Sequence, residues 1–314
     1  MKKPNLFIVG HPKSGTTALY NFLKQHPDIF MCPVKEPNFF CKDFIEESDL
    51  FHKQKSFYLD SWSREQKAYL SLFANVKSEK IIGECSISYV YSKVAAAEIQ
   101  KFNPCAKIII LLREPVSFLY SLYSQTASLL ARENVKDFKT SISLEKQRKL
   151  GQDIPSTVKR PSALFYSERI KYSEQVVRYY DLFGKSNVKV IIYEDFKRNN
   201  RAIYKDILKF LDISTDFTPQ FGQHNVNKKP RFELLNVWLR NSASIRRLQH
   251  IIPQSVKRNI NPLMKQILLK GETRKPLNPS FQRELKKEYK EQVVKISHLL
   301  NIDLVKKWKY DRIS

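Results

Sequence analysis

Acidic residues are what this chain is short of: 31 Asp and Glu stand against 55 Lys and Arg, a formal net charge of +24. That excess is larger than solubility requires and points to an acidic partner, whether nucleic acid, anionic lipid, acidic glycan or a polyphosphorylated nucleotide; a solvated basic surface is the plainer alternative. Glycine is scarce too, with 7 residues beside 15 prolines, which excludes a low-complexity chain. The 4 cysteines, Cys32, Cys41, Cys85 and Cys105, form no CxxC pair and have no histidine at zinc-ligand spacing. Reduced thiols and no metal centre are therefore expected. No apolar run approaches the ~20 residues of a membrane span. The stretch MKKPNLFIVG turns polar at HPKSG before a secretory core can build up, so a cytoplasmic location is expected.

What is present suffices for a large core: 42% of the 314 residues are hydrophobic and 12% aromatic, as suits one domain over residues 1–314. Leu6–Val9 is a short apolar run ending at Gly10, and beyond a polar loop Thr17–Gln25 carries Leu19, Phe22 and Leu23 at helical spacing. Ile81–Gly83, Lys107–Leu112 and Val188–Tyr193 repeat the short continuous apolar run followed by a polar turn, the pattern of buried parallel strands. Helices are predicted at Lys93–Phe102, Val116–Leu130, Glu168–Phe183, Arg201–Leu211 and Phe281–Leu300. The expected fold is a three-layer α/β arrangement, a central mostly parallel sheet flanked by helices.

Two stretches break this rhythm. Arg132–Ser162 is polar, rich in Lys and Ser and punctuated by Gly151, Pro155 and Pro161, which predicts a mobile loop or lid. Lys228–Lys275 holds 12 Lys and Arg against Glu233 and Glu272, mixed with Trp238, Leu239, Ile251 and Ile252. It reads as a basic insertion that either shapes an acidic-glycan groove or touches a membrane peripherally.

The loop from Gly10 to Thr17, GHPKSGTT, lies between a predicted strand and a predicted helix, where backbone amides and the helix dipole make an anion site. A nucleoside-triphosphate loop places Lys directly after its second glycine; Thr16 stands there and Lys13 lies inside the loop, so this is not a Walker A motif. With Gly10 and Gly15 alone, the GxGxxG dinucleotide fingerprint is absent as well.

PKSGTT after a strand resembles the 5′-phosphosulfate loop of the sulfotransferases that use 3′-phosphoadenosine-5′-phosphosulfate (PAPS), and the resemblance recurs elsewhere. IIILLR ending at Arg113, then Glu114, Pro115 and Ser121, matches the family's 3′-phosphate site; Arg offers a bidentate fork and Ser one more donor. KEPNFF, Lys35 to Phe40, is similar to the segment of the heparan-sulfate-type and related carbohydrate sulfotransferases in which a Glu three residues before the first aromatic acts as base, here Glu36. Lys270, Gly271, Thr273 and Arg274 resemble the loop that closes over the 3′-phosphate. VKVIIYED, Val188 to Asp195, with the preceding Tyr179–Phe183, also looks like the family's late strand and helix, so the likeness runs from about Leu6 to Trp308. One departure stands out: Cys85 follows Glu84 where the heparan-type enzymes have Lys, which argues against a heparan-like acceptor.

The resemblance implies a P-loop-like sulfotransferase fold and transfer of a sulfuryl group from PAPS, with 3′-phosphoadenosine 5′-phosphate (PAP) as product, to a hydroxyl or amine of a carbohydrate or glycolipid. Such in-line transfer needs charge stabilisation on the sulfuryl oxygens and on the departing 5′-phosphate. Lys13 is assigned to the bridging oxygen, and Ser14, Gly15, Thr16 and Thr17 to the 5′-phosphate through amides and hydroxyls. Arg113, Ser121, Lys270, Gly271, Thr273 and Arg274 are assigned to the 3′-phosphate and Glu36 to proton abstraction, with no metal expected. Phe39 and Phe40 are expected to desolvate Glu36; a surface pair with a Lys is the other reading of that residue. Other readings of the chain are a small-molecule sulfotransferase with a His base such as His11, a nucleotide or sugar kinase, and a non-enzymatic binder of anionic surfaces; nucleic acid is the disfavoured partner.

Overall fold

The computed structural model describes residues 2–55, 58, 60–127, 132–222, 228–230, 269–271 and 276–313. Its centre is a five-stranded sheet of β1 (Leu6–Gly10), β2 (Ile29–Met31), β3 (Ile81–Cys85), β4 (Lys107–Leu112) and β5 (Val188–Ile192). The strand order is β2-β3-β1-β4-β5 and every pair is parallel. Continuous apolar strands suit this because both faces are covered. On one face Phe7, Val9, Ile108, Ile110 and Leu112 join a core with Ile99, Phe118, Val176 and Val293. On the other, Leu6, Ile8, Ile109, Leu111 and Ile191 pack with Leu19, Phe22 and Ile207. The period-2 alternation of side chains thus divides each strand between two cores, and the expected three layers result.

The helices in chain order are α1 (Thr16–Leu23), α2 (Lys42–His52), α3 (Ser61–Arg64), α4 (Gln66–Ser71), α5 (Ala95–Phe102), α6 (Pro115–Ala127), α7 (Phe138–Ser143) and α8 (Glu145–Lys149). They continue with α9 (Tyr166–Arg169), α10 (Tyr172–Phe183), α11 (Tyr193–Arg198), α12 (Asn200–Phe210), α13 (Pro279–Leu300) and α14 (Leu304–Lys307). Helix α13 shows how local sequence sets its ends. Asn278 accepts from the amides of Ser280 and Phe281 at 2.9 and 3.3 Å, and Pro279 fills the first position, where no amide donor is needed. Phe281, Leu285, Tyr289, Val293 and Ile296 form its buried stripe.

Three expectations change. β2 was not foreseen, because its three residues carry no detectable period. The helix predicted from Glu168 is broken between Arg169 and Tyr172, so α9 and α10 are separate. Arg132–Ser162 is not irregular chain throughout: α7 and α8 lie within it, tied by a fully buried bidentate pair in which Arg148 donates to Glu133 at 2.7 and 2.9 Å. Of the basic Lys228–Lys275 stretch, the backbones of β6 (Lys228–Pro230) and β7 (Leu269–Gly271) are described and pair antiparallel. Its remainder, with Thr273 and Arg274, lies outside the described residues.

Candidate active site

The site gathers at the carboxyl ends of β1, β3, β4 and β5, where an open parallel sheet leaves its crevice. After β1 the chain turns sharply into α1. Gly10 has to be a glycine, since a Cβ there would meet the Leu111 amide nitrogen at 2.8 Å. Lys13 has φ 65 and Gly15, the residue preceding α1, φ 89, both in the left-handed region. A side chain at Gly15 would also press on the Phe196 ring at 3.1 Å. Gly15 provides no side-chain cap, so the first-turn amides of α1 face the crevice with the positive end of the helix dipole. Ser14 differs from its neighbours: its hydroxyl is buried, has no hydrogen-bond partner and lies off the cavity wall.

Arg113 follows β4. Its Nη1 donates to the Lys13 carbonyl at 2.9 Å, its guanidinium lies 4.8 Å from the Tyr193 ring centroid, and its Nε is buried without a partner. The turn carrying it is clasped from behind. The Glu114 carboxylate accepts from the Val116 and Ser117 amides at 3.2 and 2.7 Å, starting α6, and from Tyr310 Oη at 2.7 Å. The Glu114 amide donates to Glu194 at 3.2 Å, and Glu194 also accepts from Trp308 Nε1 at 2.9 Å. Helix α6 then brings Ser121 to the cavity, two turns beyond Arg113.

Glu36 sits between β2 and α2, with φ 62, and its amide donates to the Cys85 carbonyl at 3.0 Å. Its carboxylate pairs with Lys35 at 3.1 Å and keeps 37% of its surface exposed. The pairing foreseen in the plain reading and the place on the cavity wall therefore coexist. Phe39 and Phe40 do not desolvate it. They turn into the core, with Phe39 stacked on Tyr69 at 4.5 Å and Phe40 edge-on to Tyr89 at 5.7 Å. His11 is wholly buried between Phe118 and Tyr172, at ring separations of 4.6 and 4.7 Å. Burial first, then the Arg169 charge, pushes its pKa down to about 3, so its ring stays neutral and away from the cavity.

One cavity of about 720 Å³ collects Lys13, Gly15, Thr16, Thr17, Glu36, Arg113 and Ser121. Lys35, Gln125, Lys197 and Asn200 add polar groups to its wall, and Phe22, Tyr193, Phe196 and Phe221 add aromatic surface. None of those eight was assigned a site role from sequence. Tyr193 had a usable signal, its place at the end of an apolar strand; Phe221 and Lys197 had none. Among the described residues no group of three or more His, Cys, Asp or Glu side chains is placed to hold a metal ion. Cys32, Cys41 and Cys85 are buried free thiols and Cys105 is an exposed one.

A parallel α/β sheet whose first strand leads through an amide-lined, lysine-bearing loop into a helix defines a phosphate-binding scaffold. The sulfotransferase domain profile matches residues 3–247, and the chain belongs to that family, whose general property is dependence on PAPS. Carbohydrate sulfotransferase 15 of Mus musculus is 28% identical over 176 residues, covering 45% of this chain and 30% of that protein. Heparan sulfate glucosamine 3-O-sulfotransferase 3B1 of Mus musculus is 31% identical over 125 residues, covering 40% of this chain and 27% of that protein. The chain thus spans less than a third of the length of these curated relatives. A sulfotransferase structure from Alicyclobacillus acidocaldarius superposes with a TM-score of 0.69 at 26% identity, over 98% of this chain and all of that one.

Proposed function

We propose that this protein transfers a sulfuryl group from PAPS to a hydroxyl or amine of a carbohydrate or glycolipid by in-line displacement. The observation that carries the reading is the shared cavity: the Lys13 loop, Arg113 with Ser121, and the Glu36 carboxylate all face one space. A donor bearing phosphate at both ends of its ribose needs two cationic ends. The Lys13–Thr17 loop serves one through its amides and the Thr16 and Thr17 hydroxyls, and Arg113 serves the other with a guanidinium whose Nε is still unsatisfied. Phe22, Tyr193, Phe196 and Phe221 suit a purine ring between them. Lys13 neutralises charge that develops on the bridging oxygen, and Glu36 takes the proton of the attacking acceptor. Lys270, Gly271, Thr273 and Arg274 complete the 3′-phosphate end on the strength of the resemblance alone. The neutral, enclosed His11 favours Glu36 over a histidine base.

The acceptor class rests on the names of the relatives, carbohydrate sulfotransferase 15 and heparan sulfate glucosamine 3-O-sulfotransferase 3B1. Incubation with sulfur-labelled PAPS and an extract of the native cell, followed by glycosidase digestion of the labelled product, tests it. Label that stays in an undigested small phenol or lipid overturns the carbohydrate assignment, and absence of any transfer overturns the activity.

A further inference from the structure

Glu84, near the end of β3, is a fully buried carboxyl that takes no part in the chemistry above. Three hydroxyls converge on it: Ser86 Oγ donates to Oε1 at 2.5 Å, while Tyr69 Oη and Tyr89 Oη donate to Oε2 at 2.6 and 3.2 Å. The ionised carboxylate, which can only accept, is the form that receives all three hydroxyls at once. The groups facing it from the surrounding elements are the phenols of Tyr69, Tyr89 and Tyr179 and the thiols of Cys32, Cys41 and Cys85, none of them cationic.

Two of the same hydroxyls also receive amides of the turn that carries Glu36. The Asn38 amide donates to Ser86 Oγ at 3.2 Å and the Phe40 amide to Tyr89 Oη at 3.4 Å. Asn38 Nδ2 closes the turn onto the Glu36 carbonyl at 2.6 Å. Glu36 has φ 62, a left-handed backbone that a residue other than Gly, Asn or Asp adopts only when its surroundings enforce it, and Asn38 follows with φ 57. The hydroxyls act as enforcers only while their own protons point at an acceptor, and Glu84 is that acceptor.

We propose that Glu84 is a positioning residue: through Ser86 and Tyr89 its carboxylate holds residues 36–40 in the turn that presents Glu36 to the cavity. The proposal rests on the reading of Glu36 as base. Burial drives the Glu84 pKa up to about 7 despite the Ser86, Tyr69 and Tyr89 hydrogen bonds that oppose the shift. The holding, ionised form therefore prevails above that pH and is lost as pH falls through it. On protonation the carboxyl becomes a donor, one hydroxyl must turn away, and the turn loosens.

The test compares Glu84→Gln and Ser86→Ala, each alone and combined with Glu36→Gln. Turnover is followed with labelled PAPS and the extract fraction that accepts label, PAP affinity by calorimetry, and exchange of the Asn38 and Phe40 amides by mass spectrometry. Glu84→Gln is expected to lower kcat about tenfold, leave KM for PAPS and PAP affinity within about twofold, and speed exchange at both amides. It should also abolish the fall in turnover below about pH 7. In the Glu36→Gln background it should cost nothing further, because it acts through Glu36. Equal losses in both backgrounds, or unchanged exchange, overturn the positioning role. If Glu84→Gln does not fold, Ser86→Ala decides by the same comparison, with about a threefold loss confined to the chain bearing Glu36. Full turnover of Glu36→Gln by itself overturns the base assignment instead.

Discussion

Removing the Arg113 guanidinium isolates the claim that the cavity is built for a nucleotide with a 3′-phosphate. In Arg113→Ala the fork is lost, together with the 2.9 Å bond to the Lys13 carbonyl. A hydrogen bond to a charged group contributes roughly 1.5–3 kcal/mol. Arg113 is partly open to solvent and already gives one donor to the loop, so the lower half of that range is taken for its contact with a phosphate as a whole. A net loss of about 2 kcal/mol corresponds to about 30-fold in affinity for PAP. ADP lacks the 3′-phosphate and should weaken only by the loosening of the Lys13 loop, about threefold. Arg113→Lys should fall between, because a point charge replaces the bidentate fork. Calorimetry with PAP and ADP, without added metal, measures the difference. Equal affinities in the intact protein, or equal losses for both nucleotides in Arg113→Ala, refute the assignment.

Glu36→Gln keeps the shape of the side chain but removes the proton acceptor, so turnover should fall ~10²-fold while PAP affinity holds; survival of turnover together with collapse in His11→Ala would move the base to His11. His11 titrates at about 3 in the folded chain against 6.5 ordinarily, so its contribution to stability is present above 6.5 and lost as pH falls toward 3. The loss is on the order of 5 kcal/mol, and a His11→Gln chain whose urea midpoint keeps the wild-type acid slope contradicts it. Glu84 acts in the opposite sense: its pKa is raised to about 7 from 4.5, so its contribution is full below 4.5 and is lost as pH rises through 7. Glu84→Gln should remove that slope from urea titrations across the same window. Arg148→Ala strands the buried Glu133 carboxylate and should cost about 3–5 kcal/mol in chemical denaturation; a loss below about 1 kcal/mol would mean the pair does not organise residues 132–162.

The parts of the site legible in the sequence are those that a short stretch of chain builds for itself. Lys13, Thr16 and Thr17 follow a strand and open a helix within a dozen residues, and Arg113 with Ser121 repeats the arrangement after β4. Continuous apolar runs made β1, β3, β4 and β5 readable because a strand covered on both faces has no polar alternation to confuse the pattern. The carbohydrate-type motif around Glu36 was readable only by resemblance. Left to tertiary structure were the strand order, the turn of Phe39 and Phe40 into the core, and the arrival of Tyr193, Lys197 and Phe221 at the cavity. Helices α7 and α8 belong to the same group, since the buried Glu133–Arg148 pair that ties them joins residues with no shared local pattern. Local sequence dictates backbone periodicity and the chemistry at a strand's end. Which strand lies beside which, and whether a carboxyl such as Glu84 is closed off from water, depend on contacts between distant residues that exist only once the sheet has assembled.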